Sequence, residues 1–206
     1  MINLSANNLK NILSESIKKV LINENFDLTI TVDEWRSRSL EATKEIEDAV
    51  ARGENFKKYL SEFHPDCGDG WHPCRNRFKE WNWINDNGEL KTPTMWFDYT
   101  SDFEDGIAYV TVDAWGGNFM SPEGKLISPL WFQQIYLFNQ LNDEYALVRY
   151  NDKWNWIDKK GNLLSKIWLP TKPKDFDENQ MSTFFDNKGK EFQINSLGKI
   201  TPLQKS

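Results

Sequence analysis

The chain is poor in the residues that most often carry chemistry: 206 residues hold two cysteines and two histidines. It has no apolar run long enough to span a bilayer, and its N-terminus lacks the basic start and apolar stretch of a secretion signal. The expectation is therefore a cytoplasmic or virion protein, not a secreted or membrane one. A basic surplus is missing too. Lysine and arginine number 25 against 31 acidic residues, a net charge of -6 with a pI near 5.1, which argues against general nucleic-acid binding. There is no Gly-x-Ser-x-Gly elbow, and Gly124-Lys125-Leu126 lacks the earlier glycine and the Ser/Thr of a phosphate-binding loop. The spaced carboxylates from Asp98 to Asp105 are explained by turn solvation more simply than by acid-base catalysis.

Aromatics are abundant instead, with ten tryptophans, thirteen phenylalanines and six tyrosines to fill a core. They recur in register with glycine. Gly88, Gly124 and Gly161 follow one another at 36 and 37 residues, each with a large aromatic five positions earlier: Trp83, Phe119 and Trp156. A fixed period of this size marks supersecondary units that bury their apolar faces only by stacking on their neighbours. In each copy (81–97, 115–132, 153–169) an aromatic run enters a polar turn and an aliphatic run leaves it, which predicts a β-hairpin with a positive-φ glycine. Alternating strands at 107–112 and 145–150 lie between copies, with Ala108 and Ala146 in matching places. A shortened fourth copy is expected at Phe184–Gly189, as a polar terminal cap.

This pattern resembles the WG repeat family over about residues 77–195. Phe103-Glu104-Asp105-Gly106-Ile107-Ala108-Tyr109-Val110 fits the family's "Phe-x-x-Gly-x-Ala-x-Val" strand, and Trp115-Gly116 supplies the namesake pair once. Asn82 and Asn155 stand where the family usually has glycine, and asparagine also tolerates the left-handed region. The resemblance implies an interaction module of bacteria and their phages, with no catalytic residues to carry over.

The first 63 residues read as helices. Leu9, Ile12, Leu13, Ile17, Val20 and Leu21 form one stripe; Trp35, Ala42, Ile46 and Ala49 form a second, from Asp33 to Gly53; Phe56, Tyr59, Leu60 and Phe63 form a third, short one. These stripes are suited to cover an open end of the β-repeats. The first is similar to the leader helix that opens many uncharacterised proteins of gut Bacteroidetes and their phages. That likeness implies a docking helix, whose stripe of Leu9, Ile12, Leu13, Ile17 and Val20 would enter a protein partner's groove.

Both histidines and both cysteines, His64, Cys67, His72 and Cys74, fall within eleven residues. Two thiolates and two imidazoles satisfy tetrahedral zinc, although the spacing matches no usual zinc finger. A Cys67–Cys74 disulfide, a cysteine nucleophile beside a histidine, and a plain glycine- and proline-rich turn compete for the same residues. Trp81, Trp96, Trp115, Trp131 and Trp154 recur near turns, as does Trp71, and are candidates for an aromatic binding edge; a ladder of core aromatics is the structural alternative. The reading is an α+β chain: helices (1–63), a Cys/His connecting loop (64–76) and an antiparallel β-hairpin repeat domain (77–206), with the helices packed on or tethered to it. It is expected to work as a non-catalytic interaction or structural module, phage or mobile-element origin being one setting. The alternative is a small metal- or cysteine-dependent enzyme using the 64–74 loop.

Overall fold

A computed structural model describes residues 31–64, 70–113, 115–138 and 144–203. Among the described residues the architecture is α+β: one α-helix followed by four three-stranded antiparallel sheets that succeed one another along the chain. The first stripe, 9–21, lies outside the described residues.

Helix α1 (Val32–Ala51) starts where Thr31, in extended backbone, caps it by accepting the Glu34 amide at 3.2 Å, with Asp33 and Glu34 in the first turn complementing the helix dipole. It stops before Gly53, whose φ of 67° turns the chain away. Its buried face, Trp35, Ser39, Ala42, Thr43, Ile46 and Ala49, contains the whole expected stripe. The third stripe does not make a helix of its full length. Phe56–Tyr59 form a single 3-10 turn, and Phe63 instead enters a strand because it pairs with Cys74.

The sheets are β1–β3 (Glu62–Phe63, His72–Arg75, Trp81–Ile84), β4–β6 (Tyr99–Thr100, Ala108–Val112, Gly116–Met120), β7–β9 (Gln134–Tyr136, Tyr145–Tyr150, Lys153–Asp158) and β10–β12 (Met181–Phe185, Glu191–Asn195, Ile200–Pro202). The stretch 64–76, expected as a connecting loop, thus supplies the central strand of the first sheet. His72 pairs with Ile84 as Ala108 pairs with Met120, Ala146 with Ile157 and Ser182 with Ile194. Cys74 faces Asn82 just as Val110 faces Asn118 and Val148 faces Asn155. The first unit therefore has the same strands as the others, written in residues that do not look like a strand.

Successive side chains of a strand point to opposite faces, so each sheet has a back and a front. Ile84, Met120, Ile157 and Ile194 point back; Trp83, Phe119 and Trp156, one residue earlier, point forward into the next sheet. Trp83 packs with Ala108, Val110 and Met120, Phe119 with Ala146, Val148 and Ile157, and Trp156 with Phe184 and Ile194. The core is a series of inter-sheet layers. The small Ala108 and Ala146 leave room for the ring in front of them.

Two polar devices recur. Asn82, Asn118 and Asn155 are fully buried, and each amide clamps the loop that follows its own hairpin: Asn118 Nδ2 donates to the Ser128 and Leu130 carbonyls at 2.9 and 3.0 Å. Asn82 and Asn155 do the same to Thr92 and Met95 and to Ser165 and Ile167. Asn118, rather than Gly116, is therefore the counterpart of Asn82 and Asn155. The other device is the repeat glycine. Gly124, Gly161 and Gly198 have φ of 75, 86 and 76°, and a Cβ on any of them would collide with the carbonyl oxygen of Lys91, Ile127 or Leu164 in the preceding unit. Gly198 follows Gly161 by the same 37 residues, which corrects the fourth copy: its repeat turn is Asn195–Gly198, while Asp186–Gly189 closes the hairpin between β10 and β11.

Candidate functional site

Of the four candidate metal ligands, Cys67 lies outside the described residues. His72 and Cys74, two apart on β2, share the back face of the first sheet, beneath α1. His64 follows β1 and donates its amide to the Pro73 carbonyl at 2.9 Å, so its ring lies on the front, 5.6 Å from Trp81. The strand brings His72 and Cys74 together and puts a sheet between them and His64. Cys74 is fully buried, in one core layer with Ala42, Ile46 and Trp96, and burial pushes its thiol up, the opposite of what a nucleophile needs. His72 Nε2 lies 3.1 Å from Asp86 Oδ1, while its buried Nδ1 has no partner.

The candidate tryptophans divide by what covers them. Trp96 is buried: the Trp35 indole donates to its carbonyl at 3.0 Å, its amide donates to Ser39 Oγ at 3.3 Å, and its indole donates to Thr43 Oγ1 at 3.1 Å. Its counterparts Trp131 and Trp168, each just before the residue that bridges back to the hairpin, are half-buried. Trp115 lies between α1 and Trp131, 4.6 Å from the Trp35 ring and 5.2 Å from Trp131, with the Arg36 guanidinium 5.9 Å above it. Helix α1 thus seats on the first member of the row and reaches toward the second.

Trp81 and Trp154 form another matched pair. Each lies at or next to the start of the third strand of its sheet, opposite an arginine, Arg75 or Arg149, whose guanidinium lies 5.1 or 5.9 Å from the ring. Trp154 is buried under this cover, with Lys172 5.9 Å from its ring and 3.7 Å from that of Tyr136. The second unit has Thr111 and Gly117 in these places, and the Tyr109 ring fills the space. None of the five candidates is a freely exposed ring, and the arrangement is mainly a ladder of packed aromatics.

Beside α1 the sequence reading missed an acidic pair. Glu80 is almost completely buried; Asn76 Nδ2 donates to its Oε2 at 2.9 Å, and its Oε1 has no partner. Burial first, then the neighbouring Asp98, raises the Glu80 carboxyl above its ordinary range, and burial does the same to Asp98. Arg38 of α1 opposes both shifts. Nothing in the local sequence marks Glu80, since its burial depends on the helix packed over it.

Among the described residues no helix is long and apolar enough to cross a membrane, and no group of three or more His, Cys, Asp or Glu is placed to hold a metal ion. No protein-family model and no curated protein matches the chain. Among solved structures, BamB from Moraxella catarrhalis aligns with a TM-score of 0.32 at 10% identity, over 70% of this chain and 50% of that one. The chain spans about half the length of that structure.

Proposed function

We propose that the chain is a non-catalytic protein-interaction or structural module built on repeats of the WG kind. The observation that supports this reading is the seat of α1. An amphipathic helix, not a sheet, covers the back of the first unit and takes all three hydrogen-bonding groups of Trp96 that lie within its reach. A repeat surface that receives one helix in this way is suited to receive another, and helix-in-groove docking needs only such an apolar seat with a few placed polar groups. The buried asparagines and turn glycines serve the scaffold, which leaves the edges and ends of the stack for recognition.

On this reading the N-terminal stripe, Leu9, Ile12, Leu13, Ile17 and Val20, carries partner binding outside the repeat core. The test is removal of residues 1–23. The expected outcome is an unchanged thermal melt, together with loss of the partners that the full chain captures from its native host or virion lysate. A truncated chain that aggregates or melts far lower would assign the stripe to the core and end the docking reading.

A further inference from the structure

Between the second and third sheets a cavity of about 60 Å³ opens to the surface. Phe119 and Phe138, with ring centroids 4.9 Å apart, and Tyr109 line it, and Glu104, Asp105 and Lys159 complete it. At roughly 15 Å³ for each water-sized group, the space holds about four such groups.

The same place in the preceding junction shows what fits there. Phe103 stacks on Trp83 at 5.2 Å as Phe138 stacks on Phe119; Trp71 precedes the paired strand residue as Ile107 does; Pro122 holds the turn position of Lys159. In that junction the space is filled from within. The Lys91 ammonium lies 4.3 Å from the Trp71 ring and 5.1 Å from Phe103, and donates to the Pro122 carbonyl at 2.7 Å. One unit later the residue corresponding to Lys91 is Ile127, which carries no cation, and Trp71 is replaced by the smaller Ile107.

We propose that the cavity between the second and third units binds a primary ammonium group, either of a free amine or of a partner's lysine side chain. The chemistry is that of the filled junction without the lysine at the Lys91 place; the Lys159 ammonium, 5.7 Å from the Phe138 ring centroid, is already paired with Asp105, which leaves Glu104 to face a second cation. Aromatic rings present their negative faces to a cation. Two carboxylates, Glu104 and Asp105, stand against one ammonium, Lys159, which lies 3.2 Å from Asp105, so the walls carry one negative charge in excess. A monocation balances that charge, and an uncharged isostere does not. The inference goes beyond the interaction-module reading, because the site can be tested without any macromolecular partner.

The experiment is a titration of the purified chain with butylammonium chloride, followed by NMR at the Ile107 methyls and the Phe138 ring, with butanol as the uncharged control. Saturable shifts with butylammonium and none with butanol at the same concentration are expected. Glu104→Gln should weaken the amine about tenfold, whereas Asp102→Asn, a charge change on the same loop away from the cavity lining, should leave it unchanged. Equal response to butanol, absence of saturable shifts, wild-type affinity in Glu104→Gln, or equal weakening by Asp102→Asn would each overturn the proposal. N-acetyl-lysine methylamide separates the sources: binding comparable to butylammonium favours a partner's lysine, and binding of butylammonium alone a free amine. A negative titration leaves the deletion experiment above untouched, so the two readings fail separately.

Discussion

The two ends of the stack face the same problem and solve it differently. At the N-terminal end the back of the first sheet is as apolar as any interior layer, with Cys74 and Ile84 fully buried, and α1 covers it. The first repeat glycine records the substitution: a Cβ on Gly88 would meet the side chains of Val50 and Phe56, where later glycines meet the backbone of a preceding unit. At the C-terminal end Thr183, Glu191 and Gln193 on the front of β10–β12 are partly exposed, and the residues themselves change. Gln193 stands where Trp83, Phe119 and Trp156 stand in the other units, opposite Thr183, and Glu191 takes the place of Trp81 and Trp154. One end is stabilised by burial and the other is left polar, so loss of a side chain should be costly at the first and tolerated at the second.

The largest test of that contrast is Trp96→Ala. It removes a fully buried ring, leaves a cavity under α1 and takes the indole partner from Thr43 Oγ1, while the backbone bonds of residue 96 to Trp35 and Ser39 remain, so a loss of about 3–5 kcal/mol is expected in urea denaturation. A loss under about 1 kcal/mol would mean that α1 is an accessory rather than a cap.

Glu80→Gln probes the cost of the helix end. Its folded carboxyl is raised above the ordinary 4.5, so the folded state binds the proton more tightly than the unfolded one. The penalty is therefore fully present above the folded value, fades as pH falls through it, and is absent below the unfolded value. Glutamine should stabilise by roughly 1 kcal/mol at pH 8 and by nothing measurable near pH 4, when melts are compared across that range. A gain of the same size at both pH values would place its cause in packing rather than in charge.

The smallest expected change is that of Gln193→Trp, which restores the interior residue at the open end. Stability should shift by no more than about 0.5 kcal/mol. Exposed aromatic area should, however, promote self-association visible as an earlier elution in size-exclusion chromatography. A variant that elutes where the unsubstituted chain does would show that the polar face does not keep copies of the chain apart.

The interior of the stack was the most legible part of the sequence. A glycine period with an aromatic five residues earlier needs only counting, and the strand at 107–112 alternates cleanly, while that at 145–150 carries a short apolar run buried on both faces. The second stripe gave α1 because four apolar residues at helical spacing survive on an otherwise charged segment. In the first unit, whose hairpin at 81–97 was legible, the central strand was hidden because it is His72-Pro73-Cys74-Arg75, a composition that reads as a turn; only its pairing with Trp81–Ile84 shows that the inward positions need small or compact side chains. Gly198 was overlooked because Gly189 follows a better aromatic pair, although the period pointed to the later glycine. The candidate tryptophans were the least legible. Trp96 and Trp131 occupy the same repeat position, and what separates a buried anchor from a half-exposed ring is a helix some sixty residues earlier, with a sequence separation of 61 for the Trp35–Trp96 bond.

That separation also bears on the order of assembly. Each hairpin sheet, and each asparagine clamp within it, closes over a short span of chain, and every later unit needs only the one before it to settle upon. Helix α1 must wait for Trp96, 61 residues downstream of Trp35. During synthesis at about 5–20 residues per second the wait for Trp96 lasts several seconds, and for that interval the helix presents its apolar face to whatever chaperone or neighbour the ribosome exit offers. Once Trp96 emerges, the remaining units can add in the order in which they are made.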